Sequence, residues 1–273
     1  YRTGARNEVV IEHSHRYEIL FAPDPLSNED QMSYGQPMLP AGYPFARMGV
    51  TSLMEGRLYG EPNPDNAIED IPEPPTTDEA AHMNWTYWKM WKELVETAPV
   101  NEGMDQPFMN ITVDGWSGDY SIRDVLPVAG EDGISAPTLY RHMPERWDEI
   151  QRRNYVPVPY SAEYALAHYA DQESRIGYSR DQYFDLDSSI DVVVFGHTHV
   201  PAYREFTDYD RTKYFANSGT WIDNNMDDPD NTATFVVIES TLDGDTVSLL
   251  KCLGDDEVSE IVSVESPYVQ KSE

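Results

Sequence analysis

The run Asp191-Val-Val-Val-Phe-Gly-His-Thr-His-Val-Pro201 carries the strongest chemical signal in the chain. Four apolar residues lead to Gly196, and His197 and His199 follow with Thr198 between them. Alternate side chains of an extended segment share a face, so both imidazoles can point into one pocket. Neutral imidazole is a common ligand of divalent metals, and metal binding is the chemistry this spacing offers. Without a metal, the same pair would be a solvated strand end.

Positioning these imidazoles requires a buried strand over 192–195, since sites commonly lie beyond the carboxyl ends of such strands. Residues 8–12 read as a second short strand, ending at His13. Residues 213–216 read as a third, entering a turn at Asn217. Two runs, 232–240 and 245–253, alternate apolar and polar residues around Asp243-Gly244, a strong hairpin signal. Between the two ends of the chain the pattern changes. Thr76 and Glu79 have capping-box spacing, opening a helix over 76–97 in which Ala81, Trp85, Trp88, Trp91 and Val95 share one apolar face. Such a face is first a packing surface, although tryptophans in line would also suit a ligand. Pro144 and Ser161 start helices over 145–153 and 161–171, and 179–187 reads as a last helix before Ile190. Residues 21–75 are rich in Pro, Gly, Asn and Asp and read as loop, with one amphipathic helix over 45–58. The expected class is α/β. Residues 1–22 and 186–273 hold the strands and candidate ligands, and 23–185 form a large, mainly helical insertion.

Composition narrows the possible partners. A chain of 273 residues can bury a core in one or two domains. Its single cysteine, Cys252, excludes a disulfide framework within the chain and a cysteine-based zinc site. With 49 acids against 19 bases the net charge is −30, which argues against binding a long nucleic-acid backbone. A small phosphorylated substrate is compatible with that charge, because metal ions would supply positive charge locally. Acidic, lysine-poor composition gives a solubilising surface, and it is also what adaptation to high salt would produce. No apolar stretch approaches the ~20 residues of a membrane span.

Gly196-His197-Thr198-His199 resembles the Gly-His-x-His motif of the calcineurin-like metallophosphoesterases. Ala216-Asn217-Ser218-Gly219-Thr220-Trp221 resembles the Asn-x-Gly-Ser/Thr turn that follows it in that family. Near the start, Val9-Val-Ile-Glu-His-Ser-His-Arg-Tyr-Glu18 resembles the strand and turn bearing the family's middle histidine, with Ser14 where glycine is usual. The resemblance covers residues 5–22 and 180–250. It implies a metallophosphoesterase-type two-sheet sandwich with the insertion placed between the middle histidine and the last motif. The family's Asp-x-His, Gly-Asp-x-x-Asp and Gly-Asn-His-Asp/Glu motifs normally precede that histidine, and none is found in this sequence. Gly118-Asp119 and Gly130-Glu131-Asp132 lack the right followers to replace them. The chain therefore reads as the C-terminal two-thirds of such an enzyme: either a separate N-terminal fragment completes its site, or the chain is a remnant that has lost it.

The family's site has two divalent ions (Mn, Zn, Fe or Mg) ~3.5–4 Å apart. The resemblance puts His13 and His197 on one ion and His199 on the other, and makes these three the catalytic set. His15, Arg16 and Asn217 are candidates for the substrate side. Arg16 has the geometry to grip a phosphate oxygen, or a nearby acid. His15 suits the site or plain packing, and Asn217 suits a bond to a ligand histidine or the shaping of its own turn. His82, His142 and His168 are expected to lie outside the site. The implied activity is hydrolysis of a small phosphomonoester or phosphodiester by metal-activated hydroxide. The alternative is a catalytically incomplete protein of the same fold, acting as a binding or structural module.

Overall fold

A computed structural model describes residues 1–26, 39–44, 46–47, 70–75, 81–82, 85–86, 88–89, 92, 95–96, 105–113, 116–125, 128–130, 133–135, 143–168, 171–221, 232–254 and 257–267. The chain divides into two compact units, 1–15 with 170–273 and 16–169. The sequence reading put these divisions at 22/23 and 185/186. The class is mixed α/β with several sheets and few helices.

The first unit is built on a five-stranded sheet in the order β1 (Arg2–Thr3), β2 (Val9–Ile11), β7 (Val192–Phe195), β9 (Lys213–Ser218), β8 (Pro201–Phe206). The pairs β2–β7 and β7–β9 are parallel, with Ile11 opposite Val194 and Phe195 opposite Asn217. All four residues of β7 are buried, as expected for a central parallel strand covered on both faces. On one face Val192 and Val194 join Val9, Tyr214, Ala216 and Val247 in a core that Val236 and Ile238 flank. Those last partners come from the second sheet, β10 (Thr234–Ser240), β11 (Gly244–Gly254) and β12 (Glu257–Pro267), paired antiparallel in that order. The two sheets thus share one apolar layer. On the opposite face Phe195 packs edge-on against Phe215 and Tyr183. Each such side chain contributes about 1.5–3 kcal/mol by leaving water.

One helix of this unit starts earlier than the sequence suggested. Expected over 179–187, it runs over Gln172–Ser179 and continues as a π-helical turn, Arg180–Phe184. Asp171 sets the start, its carboxylate accepting from the Ser174 amide at 3.0 Å and the Ser174 hydroxyl at 2.6 Å. Phe184 then seats against Phe206 of β8.

The second unit contains strands as well as helices. Hairpins join β3 (Pro107–Val113) to β4 (Trp116–Ser121) and β5 (Val128–Gly130) to β6 (Gly133–Ser135). Its helices among the described residues include α1 (Ile122–Val125), α2 (Met143–Arg153) and α3 (Ala162–Ala167). The segment 23–185 is therefore not shown to be the mainly helical insertion expected. Met109 and Ile111 are buried while Asn110 and Thr112 are exposed, the two-residue period of a half-buried strand. The core gathers Trp88, Met109, Ile111, Ile122, Trp147 and Leu166, among others. Of the helix expected over 76–97, the described positions 81–82, 85–86, 88–89, 92 and 95–96 are helical. Trp91 and the Thr76–Glu79 cap lie outside the described residues, as does nearly all of 45–58.

Candidate metal centre

His13 and His15 follow β2, His197 and His199 follow β7, and Asn217 ends its neighbour β9. All five stand at the carboxyl ends of adjacent parallel strands, where the loops of an open α/β sheet build ligand sites. The backbone there is unusual. Ser14, His197 and His199 have φ of 71°, 76° and 59°, a left-handed conformation rare outside glycine. Such residues cost about 1–3 kcal/mol each and persist where the surroundings over-determine them, commonly at functional sites. The turns aim the rings at one another. His13 Nδ1 lies 3.1 Å from His15 Nδ1, and the His13 ring centroid is 4.9 Å from that of His197. The His15 and His197 centroids are 6.5 Å apart. His199 is exposed, and its charge reaches both His13 and His197.

A network under the loop holds this backbone. Asn217, fully buried, donates its amide to Gly196 O at 2.9 Å and to Thr198 Oγ1 at 3.0 Å, and accepts from the Gly219 amide at 3.0 Å. Thr198 in turn donates to Gln172 Oε1 at 2.7 Å, tying the loop to the first turn of the 172–179 helix. Asn217 thus braces the histidine loop's backbone and, through the Gly219 amide, its own turn. On the other side, the Glu12 amide extends the β2–β7 ladder to Val194 O, and the Tyr183 hydroxyl donates to Glu12 Oε2 at 2.8 Å.

The surroundings of His13 and His197 favour their neutral forms. Burial first, then the charges of Arg175 and His199, hold His197 down at about 4. Burial also lowers His13, followed by the charges of His197, His199 and Arg175, with Glu12 opposing. Arg175 is completely buried, 5.1 Å over the Tyr178 ring. Neither Arg175 nor Gln172 carried a sequence signal, because each matters through burial beside residues distant in the chain. The capping pattern of Asp171 and Ser174 was the one clue that this helix begins there.

Donor chemistry fits a divalent ion in part. Neutral imidazoles are available as ligands, and a 3.1 Å separation of two ring nitrogens is close to that of two donors on one tetrahedral zinc with ~2.0–2.1 Å bonds. Among the described residues, however, no three His, Cys, Asp or Glu side chains come together as a metal-holding group. Arg16 lies in the second unit, where its guanidinium donates to the carbonyls of Asn154 and Tyr155 at 3.1 and 2.6 Å and to the Tyr17 hydroxyl. Those carbonyls follow the last turn of α2, so Arg16 caps a helix C-terminus. His82 faces Glu73 at 3.6 Å, His168 Nδ1 lies 2.9 Å from Tyr164 O, and His142 is outside the described residues.

Compared with known protein families, with curated proteins and with solved structures, the chain matches none. Among the described residues no helix is long and apolar enough to cross a membrane.

Proposed function

We propose that this chain carries the histidine half of a metal-dependent phosphoester hydrolase of metallophosphoesterase type, acting on a small phosphorylated substrate. The observation that supports the reading best is the convergence of His13, His15 and His197 beyond adjacent parallel strands, with Ser14 and His197 held in the left-handed region. On this reading the sheets of the first unit are the enzyme's α/β sandwich, and the second unit is an insertion between two ligand-bearing loops. His13 and His197, neutral at pH 7, are ligands. His15 is a third donor or a phosphate contact, and His199 serves a second ion. A divalent ion there would polarise a phosphoryl oxygen and lower the pKa of a bound water. Asn217, Thr198 and Gln172 hold the Gly196–Thr198 backbone that carries His197, and loss of groups that orient metal ligands commonly weakens metal binding about 10–100-fold.

Elemental analysis after dialysis against Mn²⁺ or Zn²⁺, with turnover of a chromogenic phosphodiester, tests the proposal. One to two ions per chain are expected, with both metal and turnover lost in His13→Ala and His197→Ala. Metal retained in both variants would remove the ligand assignment. Metal bound without turnover would favour the binding module over the hydrolase.

A further inference from the structure

Away from the histidines, the first unit buries two acids around Arg6 and Ser240. Glu8 immediately precedes β2 and Asp245 is the second residue of β11, and their exposures are 0% and 2%. Glu8 Oε2 accepts the Arg6 amide at 2.6 Å, and Glu8 Oε1 accepts the Ser240 hydroxyl. Asp245 Oδ2 meets Arg6 at 2.8 Å, while its buried Oδ1 has no donor among the described residues. Arg6 is also shared with Asp191, 3.4 Å away, which Arg211 and Lys213 serve as well at 3.0 and 3.2 Å. Three cations therefore serve Asp191, whereas among the described residues the Glu8–Asp245 pair has its share of Arg6 alone. Ser240, which bonds Glu8, lies opposite Asp245 in the ladder, and Arg6 reaches Glu8 through its amide and Asp245 through its guanidinium. Two buried carboxylates gathered on the same two residues cannot both ionise cheaply, and a proton between them removes the repulsion. The pair also sits at a mechanical junction. The Ala5 amide donates to Ser240 Oγ at 2.8 Å and Arg6 to Thr241 O at 3.0 Å, so the β1–β2 turn is fastened to the hairpin turn here. Gly4, at φ 97°, has no room for a side chain against the Glu8 carboxylate.

We propose that Glu8 and Asp245 share one proton in the folded chain and form a pH-sensitive latch between the β1–β2 turn and the β10–β11 hairpin, tightest in mildly acidic solution. The electrostatics agree in sign. Burial, then the bond and charge of Glu8, push Asp245 up to about 6, against Ser240 and Arg6. Glu8 goes the other way: burial opposes it, but Ser240, Asp245 and the backbone amides lower it below 4.5. Asp245's contribution is full below the unfolded carboxylate range near 4 and is lost as pH rises through about 6. Glu8's is present above 4.5 and lost below it, leaving the latch firmest near pH 5.

Two measurements test this. The melting temperature of Asp245→Asn, which donates one hydrogen bond at every pH, is compared with wild type from pH 5 to 7.5. The histidine contribution is common to both, so the difference reads the latch: it should move by about 3–6 °C in favour of the variant as pH rises. Carboxyl ¹³C titration of the wild-type chain stands independently of whether the variant folds. An Asp245 midpoint near 6, lowered in Glu8→Gln, supports the shared proton. Parallel melting profiles, or an Asp245 midpoint near 4 in the wild type, would overturn it.

Discussion

His197 shows how one environment sets both chemistry and stability. Burial withholds water from its imidazolium, and Arg175 and His199 add repulsion, so it protonates at about 4 in the folded chain. An unfolded chain protonates histidine near 6.5. The folded state binds fewer protons between those values. The resulting stability is full above pH 6.5 and is lost as pH falls through 4, with a ceiling of about 3 kcal/mol. His197→Gln should therefore lose less stability than wild type between pH 7 and 4.5, read from urea midpoints in the presence of a chelator. Equal acid losses in the two proteins would show that His197 is not what the acid titrates. The histidines themselves were visible in the sequence, because a strand, a glycine and i, i+2 spacing carry their own geometry. Arg175 was not, since an arginine four residues past a helix cap looks like any solvated one until the chain buries it. Asn217 was legible as a turn residue, but its bonds to Gly196 and Thr198 belong to the parallel pairing of β7 with β9.

Elements were legible where burial is one-sided or complete. Four apolar residues at 192–195, and alternation around Asp243-Gly244, gave β7 and the β10–β11 hairpin directly. The strand β8, which begins at Pro201 and exposes Arg204 and Glu205, has no such pattern. It is an edge strand paired only with β9 in its sheet, and edge positions tolerate proline and charge. Exposed Val258 and Ile261 blur β12 in the same way. The turn between β9 and β10 offers a direct test of local fit. Gly219 has φ 66°, and a Cβ there would overlap Thr234 Oγ1 and crowd Pro201. Thr234 donates to Ser218 O at 2.9 Å, so alanine must both adopt a disfavoured conformation and displace that bond. Gly219→Ala should cost about 2–3 kcal/mol, from the left-handed backbone and the lost hydrogen bond together. Gly177, in a helix with nothing near its added Cβ, is the control, and its alanine variant should gain up to about 1 kcal/mol. Urea midpoints of the two variants that coincide would refute the steric argument.

At the scale of the molecule, charge sets the conditions under which these parts stay folded. Even if each of the 19 bases met a separate acid, 30 of the 49 carboxylates would be without a cation. Pairs such as Arg2–Asp187, Arg180–Asp208 and Arg204–Glu173 are partly or largely exposed, and each is worth about 0–1 kcal/mol. They cannot offset repulsion summed over the whole chain. That repulsion has a range of ~30 Å at 0.01 M salt, larger than a domain radius, and ~8–10 Å near 0.1–0.15 M. Unfolding moves the carboxylates apart, so screening should stabilise the folded chain. The melting temperature should climb by at least about 5 °C between 0.01 and 0.3 M NaCl. Simple screening is nearly complete by then, with a range of ~3 Å at 1 M. A second rise in molar salt would instead mark a surface adapted to it, hydrated through carboxylates rather than lysines. A melting temperature flat or falling across the whole range would show that the acids are spaced widely enough not to repel, and both readings would fail.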